Sequence, residues 1–328
     1  MNTFVIAEAG ANHNRNFDQA KALIDVAKDA RANTVKFQTY SSETLYCKNT
    51  PDFAGYKNIN KLIKDIELPR EWQKDLKKYC DDQNIEFMST PFDEKAVEEL
   101  VDIGVKRLKI AGFESTDFRF VEMVASAKLP LIISTGVGFK DKYLDKLLNI
   151  CFKYTSDITL LHCNNAYPTP IDQADLNRIT KLKQATKHRP NKVGFSDHTT
   201  STIVPALAVA NGASTIEKHF TLDRRLEGPD HPFALEPQEL EEMISNIKDT
   251  EKAFINLPAD QISESEKPFE NARRSVVTKT KVKNGEAFTK HNITTKRPYY
   301  PELSIPASKF EFVLGSIAAK DYNEDEMI

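Results

Sequence analysis

A short β-branched run followed by a longer amphipathic segment recurs eight times between Thr3 and Ile255, and few folds accept that rhythm. The runs are Thr3–Ala9, Thr34–Tyr40, Glu86–Thr90, Arg107–Gly112, Leu129–Thr135, Ile158–Asn164, Lys192–His198 and Ser214–Thr221. The segments with helical periodicity are Asp18–Ala32, Glu71–Asn84, Glu94–Ile103, Asp117–Ala127, Asp141–Phe152, Asp172–His188, Thr202–Asn211 and Glu236–Ile255. Strands separated by single crossover helices pair in parallel, and eight such units match the size of a (β/α)8 TIM barrel. A doubly wound open sheet competes, but it normally opens on a glycine-rich turn. The first turn here is Glu8-Ala-Gly-Ala-Asn-His13, with no GxGxxG.

The pattern changes after the barrel segment, residues 1–256. Leu257–Pro268 is polar and bracketed by prolines, so residues 257–272 read as a linker. Residues 273–328 form a small β-rich module with short strands, an Asn284-Gly285 turn and a proline-bearing loop from Lys296 to Pro301. A module that small is expected to lean on the barrel or on a second subunit. With a net charge of -3 and no concentrated basic block, neither nucleic acid nor a membrane surface is an expected partner. Cys47, Cys80, Cys151 and Cys163 show no paired short spacing and read as reduced thiols. Without a basic leader or an apolar stretch of membrane-spanning length, a cytoplasmic protein is expected.

In a barrel of this kind the strand ends carry the chemistry. Glu8, with Asn12 and His13 beyond it, ends the first run, and Lys36, Gln38 and Tyr40 lie on the second. The third ends at Ser89-Thr90, the fourth carries Lys109 with Glu114 after it, and the fifth ends at Ser134-Thr135-Gly136. The last three end in His162-Cys-Asn-Asn165 with Tyr167 following, Ser196-Asp-His198 and Glu217-Lys-His219. Each type has a plainer role when it stands alone: a strand lysine can snorkel, and strand-end Ser and Thr usually cap the next helix. Together they suggest a cavity for a small phosphorylated anion, with lysines for charge and hydroxyls for hydrogen bonds. Glu8, Glu114 and Asp230 are carboxylates of the kind a sugar requires. His198 and His219, at the ends of neighbouring strands, could hold a Lewis-acidic metal.

The ordered motifs Glu8-Ala-Gly-Ala-Asn-His-Asn14, Val35-Lys-Phe-Gln-Thr39, Ser89-Thr-Pro-Phe92, Ser134-Thr-Gly136, His162-Cys-Asn-Asn-Ala-Tyr-Pro-Thr-Pro170, Gly194-Phe-Ser-Asp-His-Thr199, Ile216-Glu-Lys-His-Phe-Thr221 and Gly228-Pro-Asp-His231 resemble the sialic acid synthase family. From Arg274-Ser275 onward the chain is similar to that family's antifreeze-like (SAF) domain. The resemblance implies condensation of phosphoenolpyruvate with N-acetylmannosamine or a related N-acetylated hexose, giving a nine-carbon 2-keto acid and phosphate. It implies a divalent metal, manganese before magnesium or cobalt, held by His198 and His219. Lys36, Thr90, Lys109, Ser134, Asn165 and Ser196 would bind phosphoenolpyruvate, and Gln38, Glu114, Tyr167 and Asp230 the open-chain sugar. Glu8 or Glu114 would carry protons. It further implies a domain-swapped homodimer in which Arg297 reaches the N-acetyl group in the partner barrel.

Two departures from the family pattern bear on the acceptor. The loop Arg297-Pro-Tyr-Tyr-Pro-Glu-Leu-Ser-Ile305 is longer and more aromatic than usual, and Gly112-Phe113 stands where Ser-Gly is usual. Phe113 resembles pseudaminic acid synthases, and Gly228-Pro-Asp230 resembles the sialic and legionaminic branches, so a diacetamido-trideoxyhexose acceptor is the alternative. A Schiff-base pyruvate aldolase on Lys36 or Lys109 is a further reading, and the strand-end histidine pair speaks against it. A carbohydrate- or ice-binding protein would need a flat threonine face, which the charged residues of 275–328 do not offer.

Overall fold

The computed structural model describes residues 2–52, 55–259 and 261–328. The chain divides into two compact units, Met1–Ile255 and Asn256–Ile328.

The first unit is a (β/α)8 barrel. Its strands are β1 (Phe4–Gly10), β2 (Thr34–Thr39), β3 (Glu86–Pro91), β4 (Leu108–Ile110), β5 (Leu131–Thr135), β6 (Ile158–Cys163), β7 (Lys192–Asp197) and β8 (Thr215–His219). They pair in parallel in the order β3-β2-β1-β8-β7-β6-β5-β4, and β3 runs beside β4 to complete the ring. Every strand is followed by helix, because a parallel partner can be reached only by a crossover.

Side-chain alternation divides each strand between two environments. Outward residues such as Val5, Ala7 and Ala9 pack with Leu23, Ile24 and Ala27 of the helix Phe17–Asp29 in the main core. Inward residues Ile6, Met88, Ile132 and Leu161 form a small apolar plug inside the ring. Two residues further along the same strands stand Glu8, Thr90, Ser134 and Cys163, so the interior turns from apolar to polar within one layer. That step seats the polar layer on the plug, at the C-terminal rim of the barrel.

Several elements depart from their expected extents. The fourth strand contracts to Leu108–Ile110. The helix expected at 172–188 begins only at Asn177, after a 3-10 turn at Ile171–Gln173 and a left-handed Asp175 (φ 42°). Between β2 and β3 lie two unexpected short helices, Ser42–Leu45 and Ile59–Ile66, capped by Ser41 and Asn58. Tyr40, Ile59 and Ile63 form a satellite core with Leu45 and Phe92.

In the second unit β9 (Ser275–Thr278) pairs antiparallel with β10 (Ile293–Lys296). Its own core consists of Val276, Val282, Phe288, Ile293, Val313 and Ala318, with Tyr322 edge-on to Phe288. Gly285 sits at φ 83°, a conformation suited to the turn after Asn284. Of the stretch read as a linker, Asp260 lies outside the described residues, and Glu264–Ala272 forms exposed 3-10 turns capped by Ser263 and Glu266. All four cysteines are free thiols. Among the described residues no helix is long and apolar enough to cross a membrane.

Candidate active site

Register brings the polar residues together. Glu8 stands opposite Lys36 on β2 and opposite His219 on β8, and Ser196 stands opposite Glu217. Lys36 Nζ lies 2.9 Å from Glu8 Oε2 and 3.7 Å from Glu217 Oε1, and it donates to Thr90 Oγ1 at 2.9 Å. Lys109 Nζ lies 3.7 Å from the same Glu217 oxygen, which also accepts from Ser196 Oγ at 3.1 Å. Gln38 Nε2 donates to Glu8 Oε1 at 2.7 Å. The floor of the cavity is thus a buried cluster of two ammonium and two carboxylate groups, each offsetting part of the other's desolvation.

These neighbours perturb one another. Burial raises the Glu8 pKa to about 7, with Glu217 adding to the rise and Lys36 opposing it. For Lys36 burial acts downward, but Glu217 and Glu8 outweigh it and hold the group as an ammonium. Burial lowers Lys109, with Lys36 adding to that and Glu217 resisting it. Burial alone would raise Glu217, yet Lys109 and Lys36 bring it below the usual carboxylate range. Glu8 is therefore the member that takes up a proton most readily near neutrality.

Above this floor His198, one residue past β7, and His219, the last of β8, face each other with ring centroids 5.5 Å apart. His198 Nδ1 lies 2.6 Å from the Asn164 carbonyl oxygen, which can only accept, so Nδ1 carries the proton and Nε2 keeps a lone pair. His219 Nδ1 is buried and has no hydrogen-bond partner among the described residues; Asp230 Oδ2 is 3.9 Å away. Burial lowers the pKa of both rings, His219 furthest, with His198 adding to its shift. Two neutral imidazoles, one oriented by a carbonyl and one with an unpartnered nitrogen, are the donor chemistry a divalent metal takes. Among the described residues no group of three or more His, Cys, Asp or Glu is placed to hold a metal, so this pair is a two-donor set.

The walls depend on two close approaches. Gly10, at φ 51°, follows a register shift in β1, and a Cβ there would stand 2.5 Å from Asp230 Oδ2. The missing side chain lets Asp230 accept from the Ala11 amide at 3.1 Å beside His219. Burial raises the Asp230 pKa. Asn165 lies against Gly112 and Gly136, where a Cβ on Gly136 would come within 2.0 Å of its Oδ1. That Oδ1 accepts from the Val137 amide at 2.7 Å. Tyr167 packs on His198 with centroids 4.2 Å apart, and Phe113, 52% exposed, stands in the wall with its ring open to solvent.

The cavity brings together Glu8, Lys36, Gln38, Thr90, Lys109, Ser134, Asn165, Tyr167, Ser196, His198 and His219. Glu114 and Asp230 are not in its lining; Glu114 has a buried Oε2 without a hydrogen-bond partner among the described residues, and burial raises its pKa. Arg297 is exposed in the second unit. Sequence reasoning gave no role to Glu217, although alternation from His219 puts it on the same inward face. It also passed over Cys163, whose thiol burial raises to about 11 and whose Sγ lies 4.0 Å from His198 Nδ1.

Residues 23–257 match the NeuB family and residues 273–328 match the SAF domain. The chain is 37% identical to the N,N'-diacetyllegionaminic acid synthase of Campylobacter jejuni, over 99% of this chain and 98% of that protein. It is 32% identical to a pseudaminic acid synthase of the same species, over 97% and 93%. The crystal structure of the N-acetylneuraminic acid synthetase of Leptospira borgpetersenii, in complex with citrate, superposes with a TM-score of 0.74 at 34% identity, covering 82% of this chain and 90% of that one. On these matches, and on a barrel whose rim carries the motifs in order, the chain belongs to the NeuB family.

Proposed function

We propose that this protein condenses phosphoenolpyruvate with the open-chain form of an N-acetylated hexose, giving a nine-carbon 2-keto sugar acid and phosphate. The observation that carries the reading is a lysine–carboxylate floor directly below a pair of neutral imidazoles in one cavity. The floor suits a small polyanion, and the imidazoles suit a metal beside a carbonyl.

Phosphoenolpyruvate would take its charge complement from Lys36 and Lys109 and its hydrogen bonds from Thr90, Ser134, Asn165 and Ser196. Its negative charge favours a proton on Glu8, and once Glu8 is neutral, the Lys36 ammonium is released toward the phosphate. Gln38, Tyr167, Glu114 and Asp230 would receive the sugar, the last two with carboxylates whose raised proton affinity suits contact with hydroxyls. His198 and His219 would hold a divalent ion, manganese first and magnesium or cobalt as substitutes, whose contribution when bound is Lewis-acid polarisation of the sugar aldehyde.

Carbon 3 of phosphoenolpyruvate attacks the aldehyde carbon, and Glu8 protonates the oxygen as it becomes a hydroxyl. The resulting oxocarbenium at C2 is attacked by water, whose proton returns to Glu8. The adduct collapses by C–O cleavage, leaving a ketone at C2 and releasing phosphate with the remaining proton. Glu8 suits both transfers because its pKa of about 7 lets it give and take a proton near neutrality and its strand neighbour is His219.

A diacetamido-trideoxyhexose is the second acceptor reading, favoured by the ring of Phe113 in the cavity wall. An apolar wall suits a deoxy carbon better than a hydroxyl. Incubation with each acceptor, followed by mass spectrometry of the acidic product, decides between them. A product from the diacetamido sugar alone supports the second reading, and one from N-acetylmannosamine alone removes it. A Schiff-base aldolase on Lys36 is disfavoured by its pairing with two carboxylates, which keeps its amine protonated, and one on Lys109 is opposed by the strand-end histidine pair, which that chemistry does not need. The reading includes a domain-swapped homodimer in which Arg297 reaches the partner's sugar, and a cytoplasmic location consistent with four free thiols.

A further inference from the structure

The outward faces of β7 and β8 carry a second buried ion pair that the proposed chemistry does not use. Alternation sends Ser196, Glu217 and His219 into the barrel and turns Asp197 and Lys218 to its other side. The two stand opposite each other in the ladder, are fully buried, and meet at 2.6 Å from Lys218 Nζ to Asp197 Oδ2. Lys218 Nζ also donates to the Thr199 carbonyl. Asp197 accepts from the Thr199 amide at 2.9 Å and from its hydroxyl at 3.1 Å.

The positions of these three residues matter more than their charge. Lys218 immediately precedes His219, and Asp197 and Thr199 flank His198. One ammonium thus ties the strand that bears one imidazole to the chain on both sides of the other. As a source of stability such a pair is poor, because desolvation offsets most of its attraction and apolar replacements often do as well. What it supplies is direction across β7 and β8, whose pairing with each other ends at this residue pair.

We propose that Asp197, Lys218 and Thr199 form a clamp that sets the 5.5 Å separation of the His198 and His219 rings, which makes Asp197 and Lys218 positioning residues for the metal pair. The clamp rests on the reading of that pair as a divalent-ion site. It acts only through the two imidazoles and touches neither substrate.

The test uses the full-length protein, stripped of metal with chelator and titrated calorimetrically with Mn2+. Wild type is compared with Asp197→Asn, with the double variant Asp197→Leu/Lys218→Met, and with His219→Ala. The double variant is expected to melt cooperatively in chelator yet bind Mn2+ roughly 10- to 100-fold more weakly, the loss typical of removing residues that orient metal ligands. Asp197→Asn keeps one acceptor oxygen and turns the other into an amide donor, so it can serve Lys218 or the Thr199 amide but not both, and it is expected to fall between the two. In turnover the Mn2+ concentration for half-maximal rate rises by the same factor, while KM for phosphoenolpyruvate holds. A folded double variant with wild-type Mn2+ affinity overturns the clamp. Should that variant not fold, Asp197→Asn decides alone: weakened binding supports the clamp, and wild-type binding overturns it. His219→Ala that binds Mn2+ as tightly as wild type would instead overturn the metal reading, and the clamp with it.

Discussion

Glu8 is the residue whose chemistry pH reads most directly. Burial raises its pKa to about 7, and in the proposed mechanism its proton frees Lys36 for an incoming anion. As pH rises through about 7, Glu8 ionises and reclaims that charge, so kcat/KM for phosphoenolpyruvate is expected to fall on the alkaline side. The limb belongs to the Glu8–Lys36–Glu217–Lys109 cluster rather than to one group. Glu8→Gln should erase it and lower kcat by about 10²- to 10⁴-fold, the usual worth of a positioned acid–base. A limb unchanged in Glu8→Gln would move the proton carrier elsewhere. The inward lysines, Glu8 and the two histidines were legible because each stands on a strand or at its end and most have no apolar reason to be there. Glu217 escaped because it shares its strand with His219, which drew the reading. The closeness of Asn165 to Gly112 and Gly136 escaped because it joins three strands and leaves no mark on local pattern.

Among elements, the helix Glu94–Asp102 offers the clearest stability test. Its N-cap Asp93 accepts from the Ala96 amide at 2.8 Å and pairs with Arg70. Burial would raise the Asp93 pKa, but Arg70 and that amide outweigh it and hold it below the usual range. The stabilisation is therefore complete above the unfolded value, near pH 4, and is lost as pH falls through the lower folded value. Asp93→Ala is expected to cost about 1–2 kcal/mol at neutral pH, and the difference from wild type should shrink in acid denaturation below pH 4. A constant difference down to pH 2 would remove the charge from the account. The eight strands could be read because short β-branched runs, buried on both faces in the barrel, stand apart in sequence from the longer amphipathic segments between them. The helices Ser42–Leu45 and Ile59–Ile66 could not, since one or two turns are too short for a 3.6-residue period to show. The late start of the helix at Asn177 follows from a left-handed Asp175, a conformation that periodicity does not register.

For the whole molecule, the division at Ile255 falls where the βα rhythm stops, and the small core of the second unit could be anticipated only as short strands around turns. How the second unit meets a barrel is not written in local pattern, so it is argued by complementation. His219→Ala and Arg297→Ala subunits, each inactive or impaired alone, are mixed after dissociation. If Arg297 serves the partner barrel, mixed dimers hold one intact site each and recover roughly a quarter of wild-type activity; no recovery would contradict the exchange. The central claim, condensation of phosphoenolpyruvate with an N-acetylated hexose at the histidine pair, is tested most directly by phosphate release from phosphoenolpyruvate labelled with 18O at its bridging oxygen. The account predicts release only when phosphoenolpyruvate, the acceptor sugar and Mn2+ are all present, with the label in the phosphate and none released by His219→Ala. Turnover without metal, or label retained in the sugar acid, would contradict it.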